Sequence, residues 1–315
     1  MKGWLFTKTH VAPRLIEKED PIAADNEVIL DIKAAGLCHS DVGALEDETW
    51  MPYYPKPVIF GHECAGQVVK IGKGVTQFKV GDRVGVCPIN PETGITIGYG
   101  RDGGYATKLA VPASQLIPLP DGVSFVQGAA ATDAGMTSYH ALFTEGGAKA
   151  GMKVGIVGIG GLGQFATQMA LIEGCEVYAV DKNSAARQLA LELGCKAVYE
   201  NVLDLAEHQL PLIVDYAGFG QTTADAVEAI ALKGKVVIVG MGKLETTLNV
   251  MTMIQKQVTV KGSNGGTNED IAGVYAKFAT GKLNPTLITI KFEEIGEGLE
   301  QLKAGKVKGR LVALI

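Results

Sequence analysis

The sequence predicts an α/β protein that combines a doubly wound parallel sheet with a second, β-rich region. In the middle of the chain, six short runs of β-branched apolar residues alternate with mostly helical patterns. Such near-continuous apolar strands are typical of a parallel sheet that helices cover on both faces. The first part of the chain instead carries short apolar or alternating runs between Gly, Pro and Asp, which indicate β-strands. A length of 315 residues exceeds one ordinary core, so we expect two domains.

The predicted elements follow in order along the chain. The early strands are predicted at Glu27–Ala34, Glu63–Ile71, Arg83–Cys87 and Tyr105–Val111. The alanine-rich segment Ser124–Thr144 predicts a helix. The six strands of the parallel sheet are predicted at Val154–Val157, Val177–Val180, Ala197–Tyr199, Leu212–Asp215, Val236–Val239 and Val258–Val260. Further helices and a last strand are predicted at Gln164–Ile172, Ser184–Leu193, Thr222–Leu232, Glu269–Thr280, Glu293–Ala304 and Arg310–Ile315.

Composition excludes several classes of function. Hydrophobic residues make up 47% of the chain and charged residues 20%, which favours a packed core over disorder. The net charge of −5 is not interrupted by any basic run, so the sequence predicts no nucleic-acid partner. Glycine is abundant, with 41 residues and no collagen-like period. We therefore expect glycine in turns and where the backbone approaches a ligand closely.

The cysteines are five in number and scattered, without a Cys-x-x-Cys pair: Cys38, Cys64, Cys87, Cys175 and Cys195. This spacing excludes a disulfide framework and a four-cysteine zinc knuckle. The segment Met1–Lys8 has no apolar stretch of signal-peptide length, so we expect a cytoplasmic protein. The uncharged run Val154–Ile172 has the length of a membrane span. It contains five glycines and two glutamines, however, and a nucleotide-binding turn explains it better.

That turn is the segment Gly158-Ile159-Gly160-Gly161-Leu162-Gly163, which follows a predicted strand and precedes a predicted helix. Gly158 permits the tight turn, Gly160 lets the backbone approach a pyrophosphate, and Gly163 allows close packing of helix and strand. Asp181 ends the next strand, where a carboxylate can accept hydrogen bonds from the ribose hydroxyls. The sequence therefore predicts dinucleotide binding. The candidate cofactor-binding residues are Gly158, Gly160, Gly161, Leu162, Gly163, Asp181, Lys182, Arg187, Val239, Gly240, Met241 and Arg310.

Asp181 also favours NAD over NADP. A 2′-phosphate at ~4 Å from this carboxylate would be repelled by about 4 kcal/mol per unit charge at an effective dielectric constant near 20, which is an upper guide. Lys182 and Arg187 are nearby cations that reduce this exclusion.

Three side chains in the first part of the chain form a candidate metal site. Cys38 and His62 supply a thiolate and an imidazole, both good zinc ligands. Asp133 is the candidate third ligand, and three protein ligands with an open position are typical of catalytic zinc. Other interpretations stay open at this point. Cys38 is also compatible with a small buried hydrophobe, His62 with a hydrogen-bonded core histidine, and Asp133 with a helix N-cap.

The motifs around these residues extend over essentially the whole chain, and in them the sequence resembles the zinc-dependent alcohol dehydrogenase family of the medium-chain dehydrogenase/reductase superfamily. They are Cys38-His39-Ser40-Asp41, Gly61-His62-Glu63, Gly103-Gly104-Tyr105-Ala106, Thr137-Ser138-Tyr139-His140, the glycine-rich turn and Gly309-Arg310. The resemblance implies a GroES-like catalytic domain made of residues 1–134 and 267–315. It also implies a Rossmann NAD-binding domain made of residues 135–266.

The resemblance also implies roles for individual residues. Cys38, His62 and Asp133 would bind one catalytic zinc, and Ser40 would hydrogen-bond the alcohol oxygen. The remaining implied roles place His39 and Arg310 near the cofactor pyrophosphate, Glu63 behind the ligands or as a transient ligand, and Trp50, Met51 and Tyr54 in the substrate pocket. The bulk of these last three residues suggests a small or medium apolar alcohol, with ordinary packing as the alternative.

The sequence departs from the family at four places. Asp133 stands where many members have cysteine, and Gly43 stands where several have a histidine that ends a proton relay. Ala186 stands where a lysine often supports the adenosine ribose. The lobe that usually carries four cysteines on a structural zinc is reduced to Pro88–Gly104, with Cys87 alone at its edge. We therefore expect no structural zinc.

The expected reaction is reversible hydride transfer between NAD and an alcohol, whose oxidised form is an aldehyde or ketone. We expect a homodimer or homotetramer joined through the Rossmann domain, with Leu248–Val260 as the candidate edge. One alternative is a zinc-free quinone or enoyl reductase of the same superfamily, which would use NADPH and lack the Cys38–His62 pair. Another is a dinucleotide-binding protein without turnover, which would have no reason to retain three ligands and Ser40.

Overall fold

The computed structural model describes residues 1–50 and 57–315, and the packing of the chain divides it into two compact units. The first unit consists of Met1–Ala134, Thr267–Ala279 and Thr286–Ile315, and the second of Gly135–Gly266 and Thr280–Pro285. Thr280–Pro285 differs from the expected assignment of all of residues 267–315 to the first domain. This short segment packs on the second unit, where the Asn284 backbone N–H donates to Gln168 Oε1 at 2.8 Å.

The first unit is built on two β-sheets. Its strands are β1 (Lys2–Phe6), β2 (Arg14–Glu17), β3 (Glu27–Gly36), β4 (Val58–Ile59), β5 (Glu63–Ile71), β6 (Arg83–Val86), β7 (Lys108–Pro112), β8 (Leu116–Pro118), β15 (Leu287–Lys291) and β16 (Arg310–Leu314). Strands β2, β1 and β4 form a small sheet, and β15-β16-β3-β5-β6-β8 form a larger one, in which β7 also pairs with β3. The C-terminal strand β16 lies antiparallel beside β3, so both ends of the chain build this unit.

The first unit also carries several helical segments. Its α-helices are α1 (His39–Glu46), α2 (Phe125–Ala130), α8 (Asn268–Ala279) and α9 (Ile295–Lys303). Short 3-10 helices lie at Ala113–Gln115 and Phe292–Glu294. The core contains the stacked rings of Phe6 and Phe60, whose centroids are 4.3 Å apart. Strand β3 is buried along most of its length because β5, β7 and β16 all pair with it.

The second unit is a parallel six-stranded sheet flanked by helices. Its strands are β9 (Lys153–Val157), β10 (Glu176–Val180), β11 (Ala197–Tyr199), β12 (Leu212–Asp215), β13 (Lys235–Ile238) and β14 (Thr259–Gly262). Its α-helices are α3 (Met136–Tyr139), α4 (Gly163–Ile172), α5 (Ser184–Leu193), α6 (Gln221–Ala229) and α7 (Val250–Lys256), with a 3-10 helix at Val202–His208. The strand order is β11-β10-β9-β12-β13-β14. The order therefore reverses between β9 and β12, where doubly wound sheets bind ligands at the carboxyl ends of their strands.

The predicted fold class is confirmed, and several strands and helices begin and end where the sequence places them. The prediction missed short strands and helices with weak patterns: β1, β2, β4, β8, β15, α1 and α7. The helix predicted at Ser124–Thr144 is not a regular α-helix, because π-helical segments occupy Ala131–Gly135 and His140–Glu145. Each π-helical segment shifts the direction of the following side chains, and Asp133 lies in the first of them.

The glycine-rich uncharged run is part of this sheet. Val154–Ile172 contains most of β9, the turn and α4. Within residues 1–50 and 57–315, no helix is both long and apolar enough to cross a bilayer.

Candidate metal centre and dinucleotide site

Three side chains from distant parts of the sequence meet in the first unit. One ligand atom each from Cys38, His62 and Asp133 lies within 4.8 Å of the other two. His62 is 95% buried, whereas Cys38 and Asp133 are partly accessible. Across residues 1–50 and 57–315, no other group of three or more His, Cys, Asp or Glu side chains has this geometry.

The pairing of β3 with β5 brings Cys38 and His62 together. Gly36 at the end of β3 is the partner of Glu63 at the start of β5, so Cys38 and His62 lie at the same end of this strand pair. A Cβ on Gly36 would lie 2.2 Å from Glu63 Cδ, so only glycine leaves room for that side chain. Cys38 is then the N-cap of α1, and its backbone N–H donates to Asp41 Oδ2 at 3.3 Å.

The arrangement fits a divalent cation. His62 Nε2 lies 3.4 Å from Asp133 Oδ2 and 3.5 Å from Ser40 Oγ, so an imidazole nitrogen, a carboxylate and a thiol surround one small space. Burial disfavours a proton on His62, yet Tyr99, Asp41 and Asp133 together raise the pKa of His62 well above its ordinary value. The neighbouring carboxylates of Asp41 and Asp133 therefore favour a positive charge near this ring. A metal ion supplies such a charge, and a set of sulfur, nitrogen and oxygen donors suits Zn²⁺.

The sequence analysis assigned no role to Asp41, which supports the other side of the histidine ring. Asp41 is fully buried, and its Oδ1 lies 3.2 Å from His62 Nδ1. Tyr105 Oη donates to Asp41 Oδ2 at 2.6 Å, and Tyr99 Oη lies 3.0 Å from Oδ1. Although burial raises it, these neighbours leave the pKa of Asp41 below its ordinary value. A carboxylate behind a ligand histidine commonly orients the ring and fixes its tautomer.

The Arg310 guanidinium contacts two acidic side chains, Glu63 and the candidate ligand Asp133. Its Nε donates to Glu63 Oε2 at 2.8 Å, and its Nη2 contacts both Glu63 Oε2 and Asp133 Oδ2 closely. Burial of Glu63, with a contribution from Asp133 and against the effect of Arg310, raises the pKa of Glu63 to about 8. Although burial acts in the opposite direction, His62 and Arg310 lower the pKa of Asp133. The guanidinium thus stabilises Asp133 as the carboxylate that a metal requires.

Other predicted residues of the first unit lie in α1 or pack beside it. Ser40 is partly buried in the first turn of α1, and its Oγ lies 2.9 Å from Tyr99 Oη. His39 begins α1 and is exposed. Trp50 packs against the core, and a Cβ on Gly43 would lie 2.8 Å from Trp50 Cε2. The indole therefore fills the space that a side chain at position 43 would need. Met51 and Tyr54 lie outside the described residues.

The glycine-rich turn of the second unit joins β9 to α4. Gly158 has a φ of +86°, which other residues adopt only with strain. A Cβ on Gly163 would lie 1.7 Å from Gly158 O, so the third glycine is required for the close approach of helix and strand. A Cβ on Gly160 would meet nothing within 4 Å, which leaves the backbone open on that side. Gly161 and Leu162 complete the turn, and Leu162 is the N-cap of α4.

Asp181 stands beside this turn at the end of β10. Its Oδ2 accepts from the Ile159 N–H and its Oδ1 from the Asn183 N–H, both at 2.8 Å. Arg187 donates to the backbone oxygens of Asp181 and Lys182 at 2.7 and 2.9 Å, and its Nη2 lies 3.3 Å from Glu200 Oε2. The Arg187 guanidinium is therefore already bonded to these backbone oxygens and to Glu200, beside the Asp181 carboxylate.

The turn after β13 approaches the turn after β12. The backbone N–H groups of Val239 and Gly240 both donate to Asp215 O at 3.0 Å. A Cβ on Gly240 would lie 2.4 Å from the Ala217 carbonyl carbon, and Met241 is exposed. These residues therefore lie at the carboxyl edge of the same sheet as the glycine-rich turn.

Comparisons with known proteins identify the family to which the two units are similar. Residues 24–121 match the model of the alcohol dehydrogenase GroES-like domain, and residues 161–280 match that of the zinc-binding dehydrogenases. An alcohol dehydrogenase from Geobacillus stearothermophilus is 34% identical, over 99% of this chain and 98% of its own length. An alcohol dehydrogenase from Moraxella sp. (strain TAE123) is 30% identical, over 99% of this chain and 98% of its own length.

Two solved structures have the same fold. Acetophenone reductase from Geotrichum candidum NBRC 4597, in complex with NAD, has a TM-score of 0.91 and 30% identity. The match covers 100% of this chain and 97% of that one. An alcohol dehydrogenase from Aeropyrum pernix has a TM-score of 0.90 and 26% identity, with both chains covered over 100% of their length.

The GroES-like domain, the Rossmann sheet and the Cys38–His62–Asp133 set define an NAD-dependent zinc oxidoreductase. The chain belongs to the zinc-dependent alcohol dehydrogenase family of the medium-chain dehydrogenase/reductase superfamily. It is an NAD-dependent alcohol dehydrogenase, so the zinc-free reductase and the protein without turnover are not supported.

Proposed function

We propose that this dehydrogenase transfers hydride reversibly between NAD and a small or medium alcohol, with one catalytic zinc held by Cys38, His62 and Asp133. The convergence of these three donors within 4.8 Å carries the proposal. Similarity to alcohol dehydrogenases and to an acetophenone reductase supports alcohols and their carbonyl products as substrates. We assign the metal chemistry to the first unit and the dinucleotide to the second.

Zinc, when bound, supplies Lewis-acid polarisation of the alcohol oxygen and makes its hydroxyl proton easier to remove. The residues of the chain orient the groups that take part. Ser40 Oγ, 3.5 Å from His62 Nε2, is placed to accept the hydrogen bond of the alcohol hydroxyl. Asp41 holds the histidine ring, and Arg310 holds the Asp133 carboxylate. Glu63 acts behind the ligands through its two hydrogen bonds from Arg310.

The proton of the alcohol cannot leave through a base at position 43, because Gly43 lacks one and Trp50 occupies the adjacent space. The proton relay is therefore shortened or rerouted relative to family members that carry a histidine there. The bulk of Trp50 supports a small or medium apolar alcohol, whereas the contributions of Met51 and Tyr54 rest on the sequence alone.

For the cofactor we propose NAD rather than NADP. The Asp181 carboxylate lies at the turn, and Arg187 is engaged with two carbonyl oxygens and Glu200. Contacts of Lys182 and the Val239–Met241 turn with the bound dinucleotide are part of the same proposal, whereas the roles of His39 and Arg310 near the pyrophosphate rest on the sequence alone. The openness above Gly160 supports close approach of a pyrophosphate there.

We further propose one zinc per chain and assembly into a homodimer or homotetramer. The segment 88–104 contains no cysteine, and Cys87 beside it is buried, which supports the absence of a structural zinc. Strand β14 ends the parallel sheet, and the adjoining α7 exposes Val250, Met251 and Ile254, which supports Leu248–Val260 as the contact edge. Five cysteines without a disulfide among them support a reducing compartment, the cytoplasm.

The test combines metal analysis with NAD⁺ reduction across primary, secondary and aromatic alcohols. We expect about one zinc per purified chain and NADH formation with small or medium alcohols. Full activity in a preparation without zinc would contradict the metal assignment. A preference for NADP⁺ would contradict the cofactor assignment, and a preference for a large polyol would contradict the substrate class.

A further inference from the structure

Tyr99 lies in the shortened segment 88–104, to which neither the sequence motifs nor the proposed mechanism gives a role. Its phenol oxygen reaches two groups of the site: Ser40 Oγ at 2.9 Å and Asp41 Oδ1 at 3.0 Å. Its side chain is mostly buried, and its ring packs 5.0 Å from the His62 ring and edge-on to Phe60. The phenol ring is therefore packed against two other rings of the same unit.

The hydrogen-bonding capacity of Asp41 and Tyr99 favours one direction for the proton on Ser40. Asp41 accepts from Tyr105 Oη and from the Cys38 backbone N–H, and a carboxylate has no proton to return. Tyr99 has a single phenol proton, and donation to a carboxylate makes a stronger bond than donation to a neutral hydroxyl. Tyr99 then has no second proton to give to Ser40. The hydrogen bond between them therefore forms with the serine hydroxyl as the donor and Tyr99 Oη as the acceptor.

We infer that Tyr99 is a positioning residue that orients the Ser40 hydroxyl for the substrate. With its own proton directed at Tyr99, Ser40 presents a lone pair to the alcohol hydroxyl and so receives the hydrogen bond that alcohol oxidation requires. This inference rests on the proposed function, because it uses the role of Ser40 in that reaction. It also gives the shortened segment a function, since that segment supplies the phenol.

Tyr105 provides a matched comparison within the same site. Its Oη also donates to Asp41 Oδ2, at 2.6 Å, but the other neighbour of this oxygen is Gly36 O, at 3.1 Å, rather than Ser40. Removing either phenol weakens the support of Asp41 and thereby of His62. Only removal of the Tyr99 phenol also removes a hydrogen-bond partner of Ser40 Oγ.

The test compares Tyr99→Phe, Tyr105→Phe, Ser40→Ala and the double variant Ser40→Ala/Tyr99→Phe, each at saturating zinc. We expect Tyr99→Phe to lower kcat/KM for alcohol oxidation about tenfold. We expect the double variant to match Ser40→Ala, because Tyr99 acts through that serine. Tyr105→Phe should weaken zinc binding about tenfold in a chelator competition and recover activity when zinc is saturating.

A binding measurement separates orientation from turnover. A tertiary alcohol has no hydrogen on its carbinol carbon and cannot lose hydride, so its Kd for the enzyme–NAD⁺ complex reports binding without turnover. The difference in Kd between variants then reports the contribution of the Ser40 contact. We expect tert-butanol to bind about tenfold more weakly to Tyr99→Phe, with no further loss in the double variant.

Three results would overturn the inference: unchanged kcat/KM and Kd in Tyr99→Phe, losses that multiply in the double variant, or the same defect in Tyr105→Phe at saturating zinc. Turnover by the wild-type enzyme together with any of these leaves the proposed function intact. A wild-type protein that oxidises no alcohol removes both.

Discussion

The two sites of this protein are built in opposite ways. The dinucleotide site uses the backbone of six consecutive residues, Gly158–Gly163, and one carboxylate at the end of the next strand. The metal centre uses three side chains from separate segments, with Asp41 and Arg310 behind them. The first therefore depends on local backbone geometry, and the second depends on tertiary packing that holds several charged groups together. Residues of the glycine-rich turn can therefore be substituted without changing any of the three candidate zinc ligands, and the reverse is also true.

Removal of zinc should have the largest effect and should separate the two sites. Treatment with a chelator is expected to abolish alcohol oxidation, because no residue of the chain replaces Lewis-acid polarisation. NADH binding, measured by fluorescence titration, should persist, and readdition of Zn²⁺ should restore activity. Loss of NADH binding together with the zinc would show that the two sites are not independent.

Asp133→Ala should lower activity by about a thousandfold or more, since it removes one of three ligands and leaves the buried Arg310 with one partner fewer. Zinc content by mass spectrometry should fall, while NADH binding is unchanged. Asp121→Ala is the matched control, because Asp121 is an exposed aspartate of the same unit. Full activity in Asp133→Ala would remove this residue from the mechanism.

Two glycine substitutions in the turn should distinguish an effect on stability from an effect on cofactor binding. A methyl group on Gly163 would collide with Gly158 O, so Gly163→Ala should lower the Tm and weaken NAD binding together. Gly160 faces open space, so Gly160→Ala should leave the Tm unchanged and weaken NAD binding about tenfold or more by blocking the pyrophosphate. Both variants should retain zinc. A Gly160→Ala variant with normal NAD affinity would show that the cofactor does not approach there.

Asp181→Asn should have the smallest effect. The amide oxygen still accepts from the Ile159 N–H, whereas the negative charge that repels a 2′-phosphate is lost. The ratio of kcat/KM for NAD⁺ over NADP⁺ should therefore fall about tenfold, well short of the upper guide because solvent screens the charge. Asp204→Asn, at an exposed aspartate of the same unit, serves as the control. An unchanged ratio would assign the cofactor preference to other groups.

Much of this architecture is visible in the sequence because it repeats local rules. Strand β5 and helix α5 lie where the hydrophobic periodicity places them, and the parallel sheet follows from alternating apolar runs and helices. The short elements α1 and β15 were missed because few residues carry their pattern. The π-helical turns at Ala131–Gly135 and His140–Glu145 were missed because a helical period does not reveal an inserted residue.

The sequence by itself determined the dinucleotide turn, since glycine spacing dictates backbone conformation over a few residues. It also named Cys38, His62 and Asp133, since thiolate, imidazole and carboxylate are recognisable by chemical type. Only the tertiary structure decided what surrounds them. The positions of Asp41 and Tyr99 could not be predicted from the sequence, because no spacing rule connects them with the ligands. The pairing of β3 with β5 and the path of segment 88–104 bring these residues together in the folded chain. The same holds for Trp50 above Gly43, a contact that depends on side-chain packing rather than on any sequence pattern.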